Sequence, residues 1–280
     1  MQRSAEMLDA SDRPHPANAI PFLLVHLGAC IGAFLVPFEG WYVGLAVGLY
    51  YVRMFGVTAG YHRYFSHRTY KTSRAFQFLL AWLAMSSGEK GVLWWAAHHR
   101  KHHREADQPP DVHSPVQRGV WWAHVGWLLA ACNNTTDLER VADLARYPEL
   151  RWLERWHMVP AFTLAAGLFL WGGPPALVWG FFVSTILLWH GTFTINSLAH
   201  MFGSRRYPTR DDSRNNWLLA ILTLGEGWHN NHHFYKGAAN QGFFWWEFDP
   251  TFYGLKVLSW LGLIWDLRTP PRHVLEGGTP

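Results

Sequence analysis

The sequence has few charged residues and almost no cysteine. Asp, Glu, Lys and Arg together make up 16% of the 280 residues, well below the roughly 25% of a typical soluble domain. The two cysteines, Cys30 and Cys132, form no CxxC pair, so neither a disulfide scaffold nor an iron–sulfur cluster is indicated. Hydrophobic residues reach 49%, with 18 Trp and 18 Phe. This composition favours a membrane protein.

Several recognition motifs are missing as well. The net charge is +4, but the basic residues form no long run and no nucleic-acid motif occurs, which excludes nucleic acid as a partner. There is no GxGxxG fingerprint, so we expect no bound flavin or nicotinamide. Residues 1–16 contain acidic and polar side chains without a cleavage site, so we expect no secretory signal peptide.

Four apolar segments are long enough, or nearly so, to cross a ~30 Å hydrocarbon core at ~1.5 Å per residue. They form two hairpins whose tips contain no Lys or Arg. The predicted spans are residues 19–37, 41–60, 157–172 and 176–196. We therefore expect a single-domain, all-α integral membrane protein with four transmembrane helices and a cytosolic helical cap that carries the site described below. The predicted N-terminal tail is residues 1–18, and the predicted cap is residues 61–156 and 197–280.

The distribution of basic residues predicts the orientation. Nearly all of the 24 Lys and Arg residues lie outside the spans, so both termini and the cap are expected on the cytoplasmic side, in a bacterial inner membrane. Arg53 is the exception, and a charge inside a span is a candidate site residue. Within the cap, residues 76–85 and 120–132 are predicted to be helices against the bilayer. Residues 140–156 are predicted to be an amphipathic helix broken near Pro148.

Histidine is concentrated in three short windows. Nine of the 17 histidines lie within residues 62–67, 98–103 and 229–233, where random scatter would place about one. The first window follows the second predicted span, the second window precedes the third span and the third window follows the fourth, so all three are expected on the cytoplasmic side. His200 lies one turn beyond Asn196 at the end of the fourth span. Clustered imidazoles on one side of a membrane predict a metal site.

The spacing within the windows suggests how the imidazoles meet. Residues three and four apart share a helix face, so His99, His102 and His103 are expected to converge on one point. The third window repeats this spacing and is expected to converge in the same way. His62 and His67 are five apart, which an unwound helix end would allow.

The number of candidates indicates the number of ions. It exceeds what one tetrahedral zinc uses, so two ions with about four or five nitrogens each are expected. Imidazole suits Zn, Cu, Fe and Ni alike, and the Glu-rich pattern of carboxylate-bridged di-iron bundles is not evident.

Five segments resemble the membrane fatty-acid desaturases, and within that family the Δ9 acyl-CoA (stearoyl-CoA) type. They are GVTAGYHRYFSH ending at His67, HRKHH at 99–103, NSLAHMFG starting at Asn196, GEGWHNNHH ending at His233, and WWEFDPTFYGLKVLSWLGLIWDLRTPP starting at Trp245. The resemblance covers the chain from about residue 55 to residue 271.

The resemblance implies a mushroom-shaped fold and a di-iron centre that removes two hydrogens from an acyl chain with O2 and two electrons. It implies a cis double bond, at Δ9, in a saturated acyl chain carried on coenzyme A, or else on an acyl carrier protein or a lipid ester. Asn196 would hold a metal-bound water. The implied iron ligands are His62, His67, His99, His102, His103, His200, His229, His232 and His233.

Residues near the windows have candidate supporting roles. The acids expected to accept the second N–H of an imidazole are Glu226 and Asp107, followed by Asp111 and Glu105. The basic residues expected to meet an anionic headgroup or a redox partner are Arg63, Arg100, Lys101 and Arg104. The histidines expected not to bind metal are His15, His26, His98, His113, His124, His157, His190 and His273.

Oxidation of an unactivated methylene calls for a metal and for a long apolar tunnel, which abundant Trp and Phe suit. Electrons are expected from a separate ferredoxin, rubredoxin or cytochrome b5-like donor. One alternative is a histidine-box membrane hydroxylase or ketolase acting on a lipid. Another is a membrane metal transporter, which would place its ligands at mid-membrane depth. A zinc hydrolase is a third alternative.

Overall fold

Three helices in residues 10–278, the part of the chain that the computed structural model describes, are long and apolar enough to cross a membrane. They cover Pro16–Leu35, Trp41–Ser66 and Val159–His200. Residues 1–9 of the predicted N-terminal tail lie outside the described part. The protein is mostly helical. The first histidine window lies at the end of the second long helix and His200 ends the third, whereas the other two windows lie on separate, shorter helices.

The first hairpin is built as its sequence dictates. Helix α1 (Pro16–Leu35) starts with proline, whose missing N–H is not needed in the first turn. The chain turns and re-enters at Trp41. The Trp41 ring lies 5.9 Å from Trp171, edge to face, and Phe38 lies 5.4 Å from Trp179. The tips of the two predicted hairpins therefore share one aromatic cluster, as an interfacial belt does.

The second long helix changes its winding partway. Helix α2 (Trp41–Phe55) continues directly into a π-helix at Gly56–Ser66, past the predicted span end at residue 60. A π-helix bonds residue i to residue i+5, and the His67 N–H donates to the His62 carbonyl at 3.2 Å. The two histidines share a face because the helix widens; the predicted unwinding is wrong.

The third long helix folds back on itself. Helix α9 (Val159–Ala176) leaves helical geometry at Gly172, with φ −137° and ψ 17°, and at Gly173, with φ 65° and ψ −158°. The positive φ of Gly173 is open to glycine without strain. Leu168, before the turn, packs against Gly180, after it: the Leu168 side chain lies 3.1 Å from the position that a Cβ on Gly180 would occupy. In a straight helix these residues would be ~18 Å apart.

Helix α9 continues through π-helical Leu177–Val183 into α10 (Ser184–Ser197). Between α2 and α9 the chain contains α3 (Arg74–Met85), α4 (Val92–Glu105), α5 (Pro115–Arg118), α6 (Trp127–Leu129), α7 (Ala142–Ala145) and α8 (Pro148–Arg155). After α10 it contains α11 (Trp217–Leu222), α12 (His229–Phe234), α13 (Pro250–Trp260) and α14 (Arg272–Leu275). Two short strands, β1 (Lys71–Thr72) and β2 (Ile264–Trp265), pair antiparallel.

Two predicted cap helices differ in detail. The segment at 120–132 is divided into π-helical Trp122–Gly126, α6 and a 3-10 turn at Ala131–Asn133. The segment at 140–156 is divided into α7 and α8, with Pro148 as the first residue of the second piece. Proline fits there because it can begin a helix but cannot continue one.

Side-chain caps fix the helices that carry the histidines. At the start of α4, the Glu154 carboxylate accepts the N–H groups of Leu93 at 2.9 Å and Trp94 at 3.2 Å, where the helix dipole favours a negative charge. At the start of α12, the Asn215 Oδ1 accepts the N–H groups of Asn230 and Asn231 at 3.0 and 3.1 Å. Helix α12 has six residues, too few to be stable without such anchors.

Candidate functional site

Nine histidines from four separate stretches of chain converge in two groups. The first group is His62, His67, His99, His103 and His232. The second group is His102, His200, His229 and His233. Within each group the candidate ligand atoms all lie within 4.8 Å of one another. Five and four nitrogens around two points match the donor numbers expected from the sequence.

The division between the groups differs from the expected one. His99 and His103 stay together, but His102 belongs to the other group. In the third window, His229 and His233 belong to the second group and His232 belongs to the first. Residues four apart on a helix are turned by about 40° from each other, whereas adjacent residues are turned by about 100°. Each helix therefore contributes to both groups, and the expectation that each window converges on one point is wrong.

The first group is closely packed at its Nε2 atoms. The Nε2 of His99 lies 2.9 Å from that of His67 and 3.0 Å from that of His103. The Nε2 of His232 lies 2.9 Å from that of His103 and 3.0 Å from that of His62. A ring nitrogen can donate or accept one such bond, so at most about two of these four contacts can be hydrogen bonds. Ligand nitrogens ~2.0–2.1 Å from one ion are separated by about 3 Å.

The second group contains buried nitrogens without a hydrogen-bond partner among the described residues. Among them are the Nε2 atoms of His102 and His233. The Nε2 of His200 lies 3.1 Å from that of His229. Leaving a buried polar atom unpaired costs roughly 1–3 kcal/mol. A metal ion would use these lone pairs, so both groups fit metal-binding sites.

Four carboxylates hold the outer nitrogens of these imidazoles. The pairs are His62 with Glu226, His102 with Asp111 at 3.0 Å, His200 with Asp107 at 2.8 Å, and His233 with Asp211 at 2.9 Å. A carboxylate that accepts the Nδ1–H fixes the ring and leaves the Nε2 lone pair free for a metal. Glu105 instead pairs with Arg104.

Asp211 was not predicted, because it is 22 residues from His233 and no local motif connects them.

Burial lowers the pKa of His67, His99 and His103 well below the usual value, so their rings are neutral. Burial alone would raise the pKa of Asp107, but the hydrogen bond from His200 lowers it to about 2. Four carboxylates would balance the charge of two divalent ions.

The four basic residues proposed for docking have different environments. Arg63 is 1% exposed, and its guanidinium donates to Glu226 at 3.1 Å and to Asp249 at 3.1 Å. Its predicted docking role is wrong, since it lies inside the protein and orders the carboxylate that holds His62. Arg100 donates to the Phe65 carbonyl at 2.9 Å and pairs with Asp143.

The remaining two basic residues, Lys101 and Arg104, lie nearer the surface. Lys101 is half-buried, and the Arg104 side chain is 62% exposed. Arg53 is 1% exposed and donates to Ser184 at 2.5 Å and to Thr185 at 2.8 Å. It joins α2 to α10 through these hydroxyl groups.

The histidines predicted not to bind metal lie outside the two groups. His113 comes nearest: its ring centroid is 4.2 Å from that of His102, and both can meet Asp111 in a third possible donor set. His124 and His190 form a separate chain with His26, through contacts of 3.0 and 3.2 Å.

Apolar cavities lead to the histidine groups. One of about 520 Å³ is lined by Phe22, Phe181 and Trp189 of the long helices, within the size range of small-molecule sites. A smaller one reaches His99 and Asn196. The two cavities share four wall residues, which are Glu89, Trp94, Leu128 and Phe193.

A third cavity, about 40 Å³, touches both histidine groups. It is lined by His62, His99 and His229, together with Asn196. Asn196, which was assigned to a metal-bound water, therefore lies in the walls of two cavities next to the imidazoles. The Trp95 ring stacks on His99 with centroids 4.9 Å apart.

Comparison with known proteins gives one consistent family. The fatty acid desaturase family model matches residues 21–255. An acyl-CoA C20 Delta5-desaturase of Anemone leveillei is 38% identical over 78% of this chain and 70% of its own length. An sn-1 stearoyl-lipid 9-desaturase of Synechocystis is 36% identical over 95% of this chain and 85% of its own. Another of the same name, from Anabaena variabilis, is 34% identical over 90% and 93%. The resemblance seen in the sequence is confirmed, and the chain belongs to the fatty acid desaturase family.

Proposed function

We propose that this protein is an O2-dependent di-iron desaturase that introduces a cis double bond, at Δ9, into a saturated fatty acyl chain. The observation that carries this proposal is the placement of two histidine groups beside apolar cavities, one of which shares four wall residues with the large cavity between the long helices. Relatives named as 9-desaturases support the position of the double bond.

The nine grouped histidines would hold two iron ions, with Asn196 acting through a water. Bound iron supplies the oxidation of an unactivated C–H bond with O2 and electrons, which no side chain can perform. The nitrogen-rich donor set suits iron as well as other transition metals. The family then favours iron over zinc.

The chain itself orients the reactants and excludes water. The carboxylates of Asp107, Asp111 and Asp211, together with Glu226, keep the four imidazoles that they contact in one tautomer and one orientation. Trp95 covers His99 on the side of the smaller cavity. An acyl chain in these neighbouring cavities would be held with one C–C bond near the histidines, which lowers the entropic cost of reaction.

The carrier of the acyl group is proposed to be coenzyme A. The large cavity has a polar rim where Lys90 Nζ donates to Asn18 at 2.5 Å and to Asn134 at 3.1 Å. Donors of this kind suit a thioester carbonyl or phosphate. A lipid ester is the alternative, because relatives named for both carriers are similar to this chain.

The membrane arrangement is proposed to have four crossings, since the segment Val159–His200 turns back at Gly172 and Gly173. Both termini and the histidine groups would be cytoplasmic, in a bacterial inner membrane, because the hairpin tips have no Lys or Arg. A separate electron donor, a ferredoxin, rubredoxin or cytochrome b5-like protein, would dock near Lys101 and Arg104.

Expression in a desaturase-deficient host tests the proposal. Mass spectrometry of the lipids should locate a new double bond at Δ9, and purified protein supplied with acyl-CoA or with lipid ester identifies the carrier. His103→Ala and His232→Ala should abolish the product and lower bound iron while the protein stays in the membrane. His273→Ala, at an exposed position, is the matched control. A hydroxylated or ketone product, or one bound zinc and no iron, would overturn the proposal.

A further inference from the structure

Helix α11 presents apolar side chains outward. Its sequence is WLLAIL, and the exposed fraction is 66% at Trp217, 51% at Leu218 and 45% at Ile221. A helix at a water-facing surface exposes its polar residues and buries its apolar ones. The outer face of α11 is thus unsuited to water.

Helix α13 repeats this arrangement. Its exposed face contains Tyr253, Val257 and Trp260, spaced four and three residues apart on one side of the helix. Trp260 is 78% exposed, and Leu261 directly after it is 67% exposed. Large contiguous apolar surfaces of this kind mark contact with a protein or a membrane.

Both helices are attached to α2 well inside its apolar length. The Tyr50 hydroxyl donates to the Leu222 carbonyl, the last residue of α11, at 2.5 Å. The Phe55 ring packs on Gly254 of α13, 2.6 Å from where a Cβ would stand. The two helices are also close to each other, because the Thr251 N–H donates to the Leu224 carbonyl at 3.1 Å.

The depth of these attachments follows from the rise of the helix. Tyr50 and Phe55 are nine and fourteen residues beyond Trp41, which places them ~14 and ~21 Å along the axis at ~1.5 Å per residue. Trp41 belongs to the aromatic cluster at the hairpin tips, and the hydrocarbon core is ~30 Å thick. Tilt of the helix makes the depth smaller still. Both contacts therefore lie within the hydrocarbon thickness.

We propose that α11 and α13 are immersed in the membrane leaflet nearest the histidine groups, and that lipid covers their outer faces. Lipid is the proposed partner because α2, the apolar helix that both of them contact, also exposes Val43, Val47 and Val52. Tyr253 and Trp260 supply the aromatic side chains that favour the headgroup boundary. The part of the chain expected to be an aqueous cap then includes a lipid-embedded rim. The inference depends on the membrane spans and not on the proposed chemistry.

Spin labelling in lipid nanodiscs tests this without an activity measurement. Cys30 and Cys132, the two cysteines of the chain, are replaced by Ser, and single cysteines are introduced by Leu218→Cys and Val257→Cys. Collision rates of the attached label with O2 and with a water-soluble nickel complex are then compared. Val47→Cys, exposed on α2, is the lipid reference, and Arg210→Cys is the aqueous reference.

Labels at 218 and 257 should show an O2-to-nickel ratio several-fold above that at 210 and close to that at 47. A ratio equal to that at 210 would place these faces in water and overturn the proposal. Low collision rates with both reagents, at constant label mobility in dilute nanodiscs, would show that protein covers the surface and would also overturn it. Val257→Cys serves if Leu218→Cys fails to fold, since the two positions lie on different helices.

Discussion

The Nδ1 of His200 lies 2.8 Å from the Oδ2 of Asp107, which connects two residues 93 positions apart in the chain. The same carboxylate accepts the Ser114 hydroxyl at 2.6 Å and the Asp212 N–H at 2.8 Å. Asp107 has a positive φ of 56°, a backbone conformation that Asp tolerates better than most residues. It is thus a shared anchor for the second histidine group.

Replacing Asp107 by Asn should weaken iron binding about 10- to 100-fold, because the amide no longer gives His200 a charged acceptor. Iron per protein is measured by elemental analysis over a titration of free iron. Asp266→Asn, which removes an exposed carboxylate paired with Lys71, should leave binding unchanged. Wild-type affinity in Asp107→Asn would show that this carboxylate does not support the metal site.

Arg63→Gln should destabilise the fold by roughly 3–5 kcal/mol, since it leaves the buried carboxylates of Glu226 and Asp249 without their cation. The measurement is reversible or kinetic unfolding in a fixed detergent, followed by tryptophan fluorescence. Arg272→Gln, in a pair whose side chains are 90% and 62% exposed, should cause no measurable change. Equal stability of the two variants would show that the buried ion pair contributes no more to folding than the exposed one.

Stability should depend on pH through Glu89. Burial raises the pKa of this carboxyl group from 4.5 to about 7. The folded protein therefore binds more protons than the unfolded chain between about pH 4.5 and 7, and its stability falls as the pH rises through this window. The loss is on the order of 3 kcal/mol.

Glu89→Gln removes the titrating group, so its unfolding free energy should change less between pH 4.5 and 7 than that of the wild type. Guanidinium unfolding at several pH values measures this slope. Glu139→Gln, at an exposed position, is the control and should keep the wild-type slope. An unchanged slope in Glu89→Gln would show that Glu89 is ionised in the folded protein.

Removing the charges of Lys101 and Arg104 should slow electron delivery without emptying the metal site. The double variant Lys101→Gln/Arg104→Gln is expected to lower turnover several-fold at low ionic strength and to flatten its decline with salt. Iron content should equal that of the wild type. Loss of iron, or full turnover at low salt, would place the docking surface elsewhere.

The sequence predicted the helices where local composition decides the outcome. The apolar segments became long helices, and Gly172 with Gly173 produced the turn that the GGPP motif predicted. Helix ends were less accurate: α2 runs on as a π-helix to Ser66, because packing of the histidines and of α3 and α4 stabilises a winding that has no separate sequence signal.

The candidate site was predictable as a list of residues but not as an arrangement. Histidine clustering identified eight members of the two groups, since nothing else in the chain concentrates imidazole so strongly, and the position of His200 after Asn196 identified the ninth. It did not separate His102 from His99 and His103, because the different direction of His102 on the helix decides its group only when other helices stand on both sides.

Arg63 shows the same limit, since its basic character in the sequence is equally compatible with a surface or with the buried pair it forms with Glu226. By itself, then, the sequence determined the membrane helices, the histidine supply and the family. Only the tertiary structure decided which imidazoles meet, that Asp211 faces His233, and how deeply α11 and α13 lie along α2. Those outcomes depend on contacts between residues far apart in the chain, for which periodicity and local spacing contain no information.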